Sequence, residues 1–131
     1  MHHKIAKKVL DRGGITLQLH GNNLADAAEV AGDYWYYPIL PDCTVIVNEY
    51  DLPAAINAFV AADARELQRP NRYLGIWKNP SDNQYYIDVN ERSPTKAHAI
   101  KRVKQINAQS KRQILAIYNP AEELSSIALL N

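Results

Sequence analysis

The chain of 131 residues, 47% hydrophobic and 22% charged with a formal net charge of +1, has the balance of a soluble globular protein and room for one domain, residues 1–131. That balance excludes a disordered chain, the near-neutral charge argues against a general nucleic-acid coat, and no apolar run approaches the ~18 residues of a membrane-crossing helix. The single cysteine, Cys43, excludes an intramolecular disulfide and a cysteine-rich metal site.

The first residues, MHHKIAKKVL, carry charges but no following apolar core or small-residue cleavage site, so no secretory signal is expected and the cytoplasm is the expected compartment. Residues 3–11 fit a short helix or a strand equally well. Gly13-Gly14 ends that segment. Ile15 to Leu19 alternates apolar with polar, the pattern of a half-buried strand, and His20-Gly21-Asn22-Asn23 is turn chemistry. The alanine-rich LADAAEVAG that follows predicts two helical turns ended by Gly32. DYWYYPIL predicts an aromatic strand that lies at a sheet edge or stops at Pro38, which lacks an amide donor. CTVIVNEY predicts a strand with Cys43 as a small buried thiol at its start; Thr44, Ile46 and Asn48 would face one way, Val45, Val47 and Glu49 the other.

Asp51 as N-cap and Pro53 in the first turn predict a helix over 53–67, with Ile56, Phe59, Val60 and Ala64 as its apolar stripe. RYLGIWKN and QYYIDV, joined by Pro80-Ser81-Asp82-Asn83, predict a β-hairpin. In its first strand Tyr73, Gly75 and Trp77 share one face, Leu74 and Ile76 the other. Ser93 as cap and Pro94 as first residue predict a helix over 94–109, with Ile100, Val103 and Ile106 on one side and His98, Lys101, Arg102, Gln105 and Gln109 on the other. RQILAIYN reads as a returning strand and NPAEELSSIALL as a short closing helix. Strands arrive in adjacent runs rather than alternating with helices, which predicts an α+β fold: one domain, an antiparallel or mixed twisted sheet, and two main helices.

The hairpin and its sequel resemble a pattern of small accessory proteins of bacteriophages and prophages. The matching residues are Gly13, Gly14, Ile15 and Thr16; 34–37; Gly75 and Trp77; Tyr86, Ile87, Asp88 and Val89 of a YxDV element; Asn107; and Ala116-Ile117-Tyr118. The chain departs from the pattern where Asp33-Tyr34 replaces Gly-Tyr and Asn107-Ala108 replaces Asn-Gln. The resemblance implies a phage or mobile-element accessory protein, and it supplies no catalytic residues to carry over.

Charge is distributed unevenly. Residues 1–91 hold eight Lys/Arg and twelve Asp/Glu, whereas residues 92–112 hold seven Lys/Arg and no acid. That basic stretch is either a solvated helix face or a contact for an anionic partner. Lys101 and Arg102, flanked by Lys96, Lys104, Lys111 and Arg112, are its candidate residues. Trp35 and Tyr36 are candidates for an aromatic interface, with core packing as the alternative. Asp88 is an acid inside an apolar strand: a polar anchor in a pocket with Trp77 and Tyr86, or an outward-facing residue. Ser81 lacks a nucleophile elbow and no motif brings His20 or His98 to it. His2-His3 is a weak metal candidate, without the spacing of a built site. The residues predict a non-enzymatic binding protein without cofactor, with Trp77, Tyr86, Asp88, His98, Lys101, Arg102, Trp35 and Tyr36 as contact residues, and the resemblance implies that its partner is a host protein, such as a defence or replication factor. A nucleotide sponge, a DNA-binding protein using the 96–112 segment and a virion component are the alternatives.

Overall fold

The computed structural model describes residues 2–21, 23–30, 32–121 and 127–129. Helix α1 (His2–Arg12) leads into strand β1 (Gly14–His20), and β2 (Asn23–Glu29) and β3 (Trp35–Pro38) follow. A 3-10 turn (Pro41–Cys43) precedes β4 (Val45–Val47), α2 (Leu52–Ala62) and α3 (Ala64–Leu67). The hairpin β5 (Tyr73–Lys78) and β6 (Tyr85–Ser93), helix α4 (Lys96–Gln109), β7 (Ala116–Tyr118) and β8 (Ile127–Leu129) complete the chain. The strands form one eight-stranded sheet in the order β2-β1-β5-β6-β3-β7-β8, with β4 also on β6. Every pairing among the described residues is antiparallel. The α+β expectation holds.

The sheet is built outward from the hairpin. Its turn closes as the residue types dictate: Asn79 Oδ1 accepts from Ser81 N at 2.9 Å, Asp82 Oδ1 from Gln84 N at 2.9 Å, and Asn83 takes a positive φ of 59°. β6 is longer than the YIDV alternation suggests and runs on to Ser93. One of its edges pairs with β5; the other is shared, residues 85–87 going to β4 and residues 90–93 to β3. Asp88 sits at the gap between those two partners.

The period of two sorts β5 and β6 into faces. Leu74, Ile76, Ile87 and Val89 point toward the helices, where they meet Val9 of α1 and Leu52, Ile56, Phe59 and Val60 of α2 in the main core. Further along the same face, α4 lays Ala99, Val103 and Ile106 on Trp35, Tyr37 and Ile117. The opposite face carries Thr16, Tyr36, Tyr73, Gly75, Trp77, Tyr86, Asp88, Asn90 and Arg92. It holds none of the described helices, yet Thr16, Tyr36, Asp88 and Asn90 on it are buried.

Curvature explains that burial. A Cβ on Gly14 of β1 would lie 3.7 Å from the Tyr118 ring of β7, four strands away in the sheet order. In a flat sheet those strands would stand about 19 Å apart, farther than a tyrosine reaches. The sheet therefore curls around its helix-free face, whose side chains line a concave interior.

Several local expectations are corrected. Residues 3–11, for which helix and strand were equally open, are helical; Ala6 and Val9 are buried and Gly13, at φ 85°, donates its N–H back to Val9 O at 2.7 Å. Residues 23–29 form a strand and not helical turns: two turns of alanine-rich helix are marginal alone, and the β1 edge offers Leu17 and Gln18 as register partners for Glu29 and Ala28. Helix 53–67 breaks at Asp63 into α2 and α3, and Asp51 makes no side-chain cap; Asn48 Oδ1 instead accepts from the Asp51 amide at 2.9 Å. Cys43 is exposed, not buried, because the 3-10 turn shortens the strand that would have covered it. Of the closing segment, residues 127–129 pair with β7 as a strand, while 122–126, 130 and 131 lie outside the described residues.

The start of α4 also differs. Ser93 is consumed by β6, paired with Trp35, and the cap passes to Thr95, whose Oγ1 accepts from His98 N at 3.1 Å. Thr95→Ala should cost about 1 kcal/mol, read as a lowered urea midpoint, whereas the same change at exposed Pro94 should cost far less.

Candidate functional site

Two regions gather the polar side chains. The first joins α4 to the sheet. His98 Nδ1 stands 2.8 Å from Ser93 Oγ, which lies 2.6 Å from the Tyr37 hydroxyl; Tyr37 in turn donates to Glu91 Oε2 at 2.9 Å. Glu91 also pairs with Arg102 Nε at 3.0 Å and, more loosely, with Arg72 at 3.5 Å. Burial beside Glu91 pushes the Tyr37 hydroxyl up to about 12, so it stays protonated and donating at neutral pH. The chain of bonds clamps the helix N-terminal half onto β3 and β6. Ser93 is fully buried, so its hydroxyl is a clamp and not an accessible nucleophile.

Outside the clamp, α4 presents Lys101 and Lys104 to solvent, and neither pairs with a carboxylate among the described residues. Beyond the helix the amides of Arg112 and Lys111 bond Asp42 and hold its carboxyl below the ordinary carboxylate value, and Arg112 Nη1 donates to Thr44 O at 2.7 Å. An open groove of about 320 Å³ runs between α4 and the 3-10 turn, with Arg102, Gln105 and Gln109 on one wall and Asp42 and Cys43 on the other.

The second region is the concave face. Asp88 is buried and accepts from Thr44 Oγ1 and from the Trp77 indole N–H. Burial outweighs both bonds and raises its carboxyl to about 6. Trp77 lies tilted against Tyr86, ring centroids 5.0 Å apart, and Tyr86 donates to Asp82 Oδ2 at 2.7 Å. Farther along, Tyr36 meets Tyr73 edge to face at 5.2 Å and accepts from Arg92 at 3.2 Å. The Arg92 guanidinium stacks over the Tyr34 ring at 4.0 Å. Asn90 turns its amide over Gly75, where a Cβ would come within 2.0 Å of Nδ2.

The structure thus brings Asp88, Trp77 and Tyr86 together, the pocket alternative of the two that the sequence left open for Asp88. It separates Lys101, Arg102 and His98 from them, on the opposite face of the sheet. Trp35 and Tyr36, read as surface candidates, are inside. Trp35 packs under α4 with the Lys96 ammonium 5.4 Å over its ring, and Tyr36 lies in the concave interior. The alternation of a strand paired on both edges forces this, since each face is covered. Arg102 is only partly available, being bound to Glu91. Of the His2-His3 pair only the helical backbone is described. Among the described residues no group of three or more His, Cys, Asp or Glu is placed to hold a metal ion. Sequence reasoning missed Asn90, Thr44, Tyr37 and Ser93. The period of two that put Asp88 beside Trp77 also puts Asn90 on the same face; nothing local signals the other three.

The fold and its polar regions define an α+β protein with a curled antiparallel sheet, a helix-clamped face and a polar concave interior. No protein-family model matches the chain, and no curated protein or solved structure matches it. None of the described helices is long and apolar enough to cross a membrane.

Proposed function

We propose that this chain is a non-enzymatic accessory protein of phage or mobile-element type that acts in the cytoplasm of a bacterial host by binding a host protein. The host protein is one of defence or replication, and the contact is the outer face of α4 with the groove beside it. The observation that supports this is the pair Lys101 and Lys104, one helical turn apart, exposed and without carboxylate partners among the described residues, next to a groove lined by Gln105 and Gln109. Such a surface suits an acidic protein face, because unpaired cations steer and orient an anionic partner. The hairpin resemblance supports the phage assignment. A nucleotide sponge would need Lys101 and Arg102 to meet Trp77 and Tyr86, and those two pairs face opposite ways across the sheet.

The test is retention of host-lysate components on immobilised protein at low salt, comparing the natural chain with Lys101→Glu/Lys104→Glu. Both substitutions are exposed, so the melting temperature should not change. The expected result is a retained protein whose binding weakens at least tenfold in the variant, about 1.4 kcal/mol, and weakens further with salt. Equal retention by both proteins, or none by either, would count against the reading.

A further inference from the structure

The concave interior contains a small cavity lined by side chains that the α4 surface does not use: Tyr36, Trp77, Asp88, Asn90, Ala116 and Tyr118 among them. Its volume of about 20 Å³ is close to the ~10–15 Å³ a single water needs and far below that of an organic ligand. Two acceptors line it, Asn90 Oδ1 and the Asp88 carboxylate. Asn90 is 7% exposed and its Oδ1 accepts from no group among the described residues. Asp88, 2% exposed, takes one bond from Thr44 and one from Trp77, which leaves carboxylate lone pairs still open. A buried acceptor left without a partner keeps the full penalty of its lost hydration, which is reason for a donor to be supplied.

We propose that this cavity is a built hydration site, holding one internal water that donates one hydrogen to Asn90 Oδ1 and the other to the Asp88 carboxylate. Water fits where other occupants do not. A metal cation would require about six oxygens, and the wall offers two oxygen-bearing acceptor side chains and phenols. An apolar guest would leave Asn90 Oδ1 without a donor. The site follows from topology: Asp88 and Asn90 share a face, and the split of β6 between β4 and β3 opens the sheet beside them.

A crystal structure of the full chain at high resolution tests this directly. The expected result is one density peak about 3 Å from both Asn90 Oδ1 and the Asp88 carboxylate. A cavity without a peak, or an Asn90 amide turned to place Nδ2 on Asp88, would overturn the proposal. Water-nuclear relaxation dispersion gives a second reading, in which Asn90→Leu should lose one long-lived internal water. Equal counts in the two proteins would also overturn it, and if that variant does not fold the crystal structure decides alone.

Discussion

Gly75→Ala is expected to destabilise the protein by about 3 kcal/mol, the upper part of the range for overpacking a close-packed interior. Replacing glycine by alanine in a strand ordinarily gains a fraction of a kcal/mol, since glycine loses more backbone freedom on folding. Here the sign reverses. The new Cβ would lie 2.0 Å from Asn90 Nδ2 and 2.8 Å from its Cγ, so the buried Asn90 side chain would have to leave its present position. Gly75 is therefore present for the space it leaves and not for its torsions. The cause is separable by a double-mutant cycle: in an Asn90→Ala background the same glycine substitution should cost about 1–3 kcal/mol less. Denaturant midpoints of the four proteins check it, and an undiminished cost in that background would place the strain elsewhere.

The second large effect is on pH. Asp88 titrates near 6 in the folded chain against an ordinary carboxylate value of 3.8. Between those values the folded state holds the proton that the unfolded state has released. Stability from this group is therefore fully present below about pH 4, erodes as pH rises, and is lost above about pH 6. The shift corresponds to about 3 kcal/mol. Asp88→Asn keeps an oxygen to accept from Thr44 and Trp77 but carries no charge at any pH. Its stability relative to the natural protein should rise by about 3 kcal/mol from pH 4 to pH 7, followed by urea denaturation across that range. Parallel curves for the two proteins would show that Asp88 is ionised at no cost in the fold.

The hairpin shows what the residues disclose by themselves. Alternation in RYLGIWKN and QYYIDV, with a Pro-Ser-Asp-Asn turn between, is a local signal, and the faces it assigns to Trp77 and Leu74 are the observed ones. The stripes of α2 and α4 are legible for the same reason, because helical period is written in consecutive residues. Where competition between distant segments decided the outcome, the local signal misled. Residues 23–29 have the composition of a helix and became a strand because β1 presented an unpaired edge. Ser93 has the chemistry of a helix cap and was drawn into β6 because Trp35 was there to pair with it. Trp35 and Tyr36 look alike as surface aromatics, yet the sheet sent one beneath α4 and the other into the concave interior.

The same division holds for the candidate sites. Sequence alone determined that positive charge is concentrated in residues 92–112 and that an acid stands in an apolar strand beside Trp77, since both are properties of neighbours along the chain. Tertiary structure decided how the cations are divided, binding Arg102 to Glu91 and leaving Lys101 and Lys104 exposed. It also decided that Asp88 would be buried: only the curl that brings β7 over β1 closes a face that periodicity leaves open. Burial is set by what approaches from far away in the chain, and no window of consecutive residues contains that information.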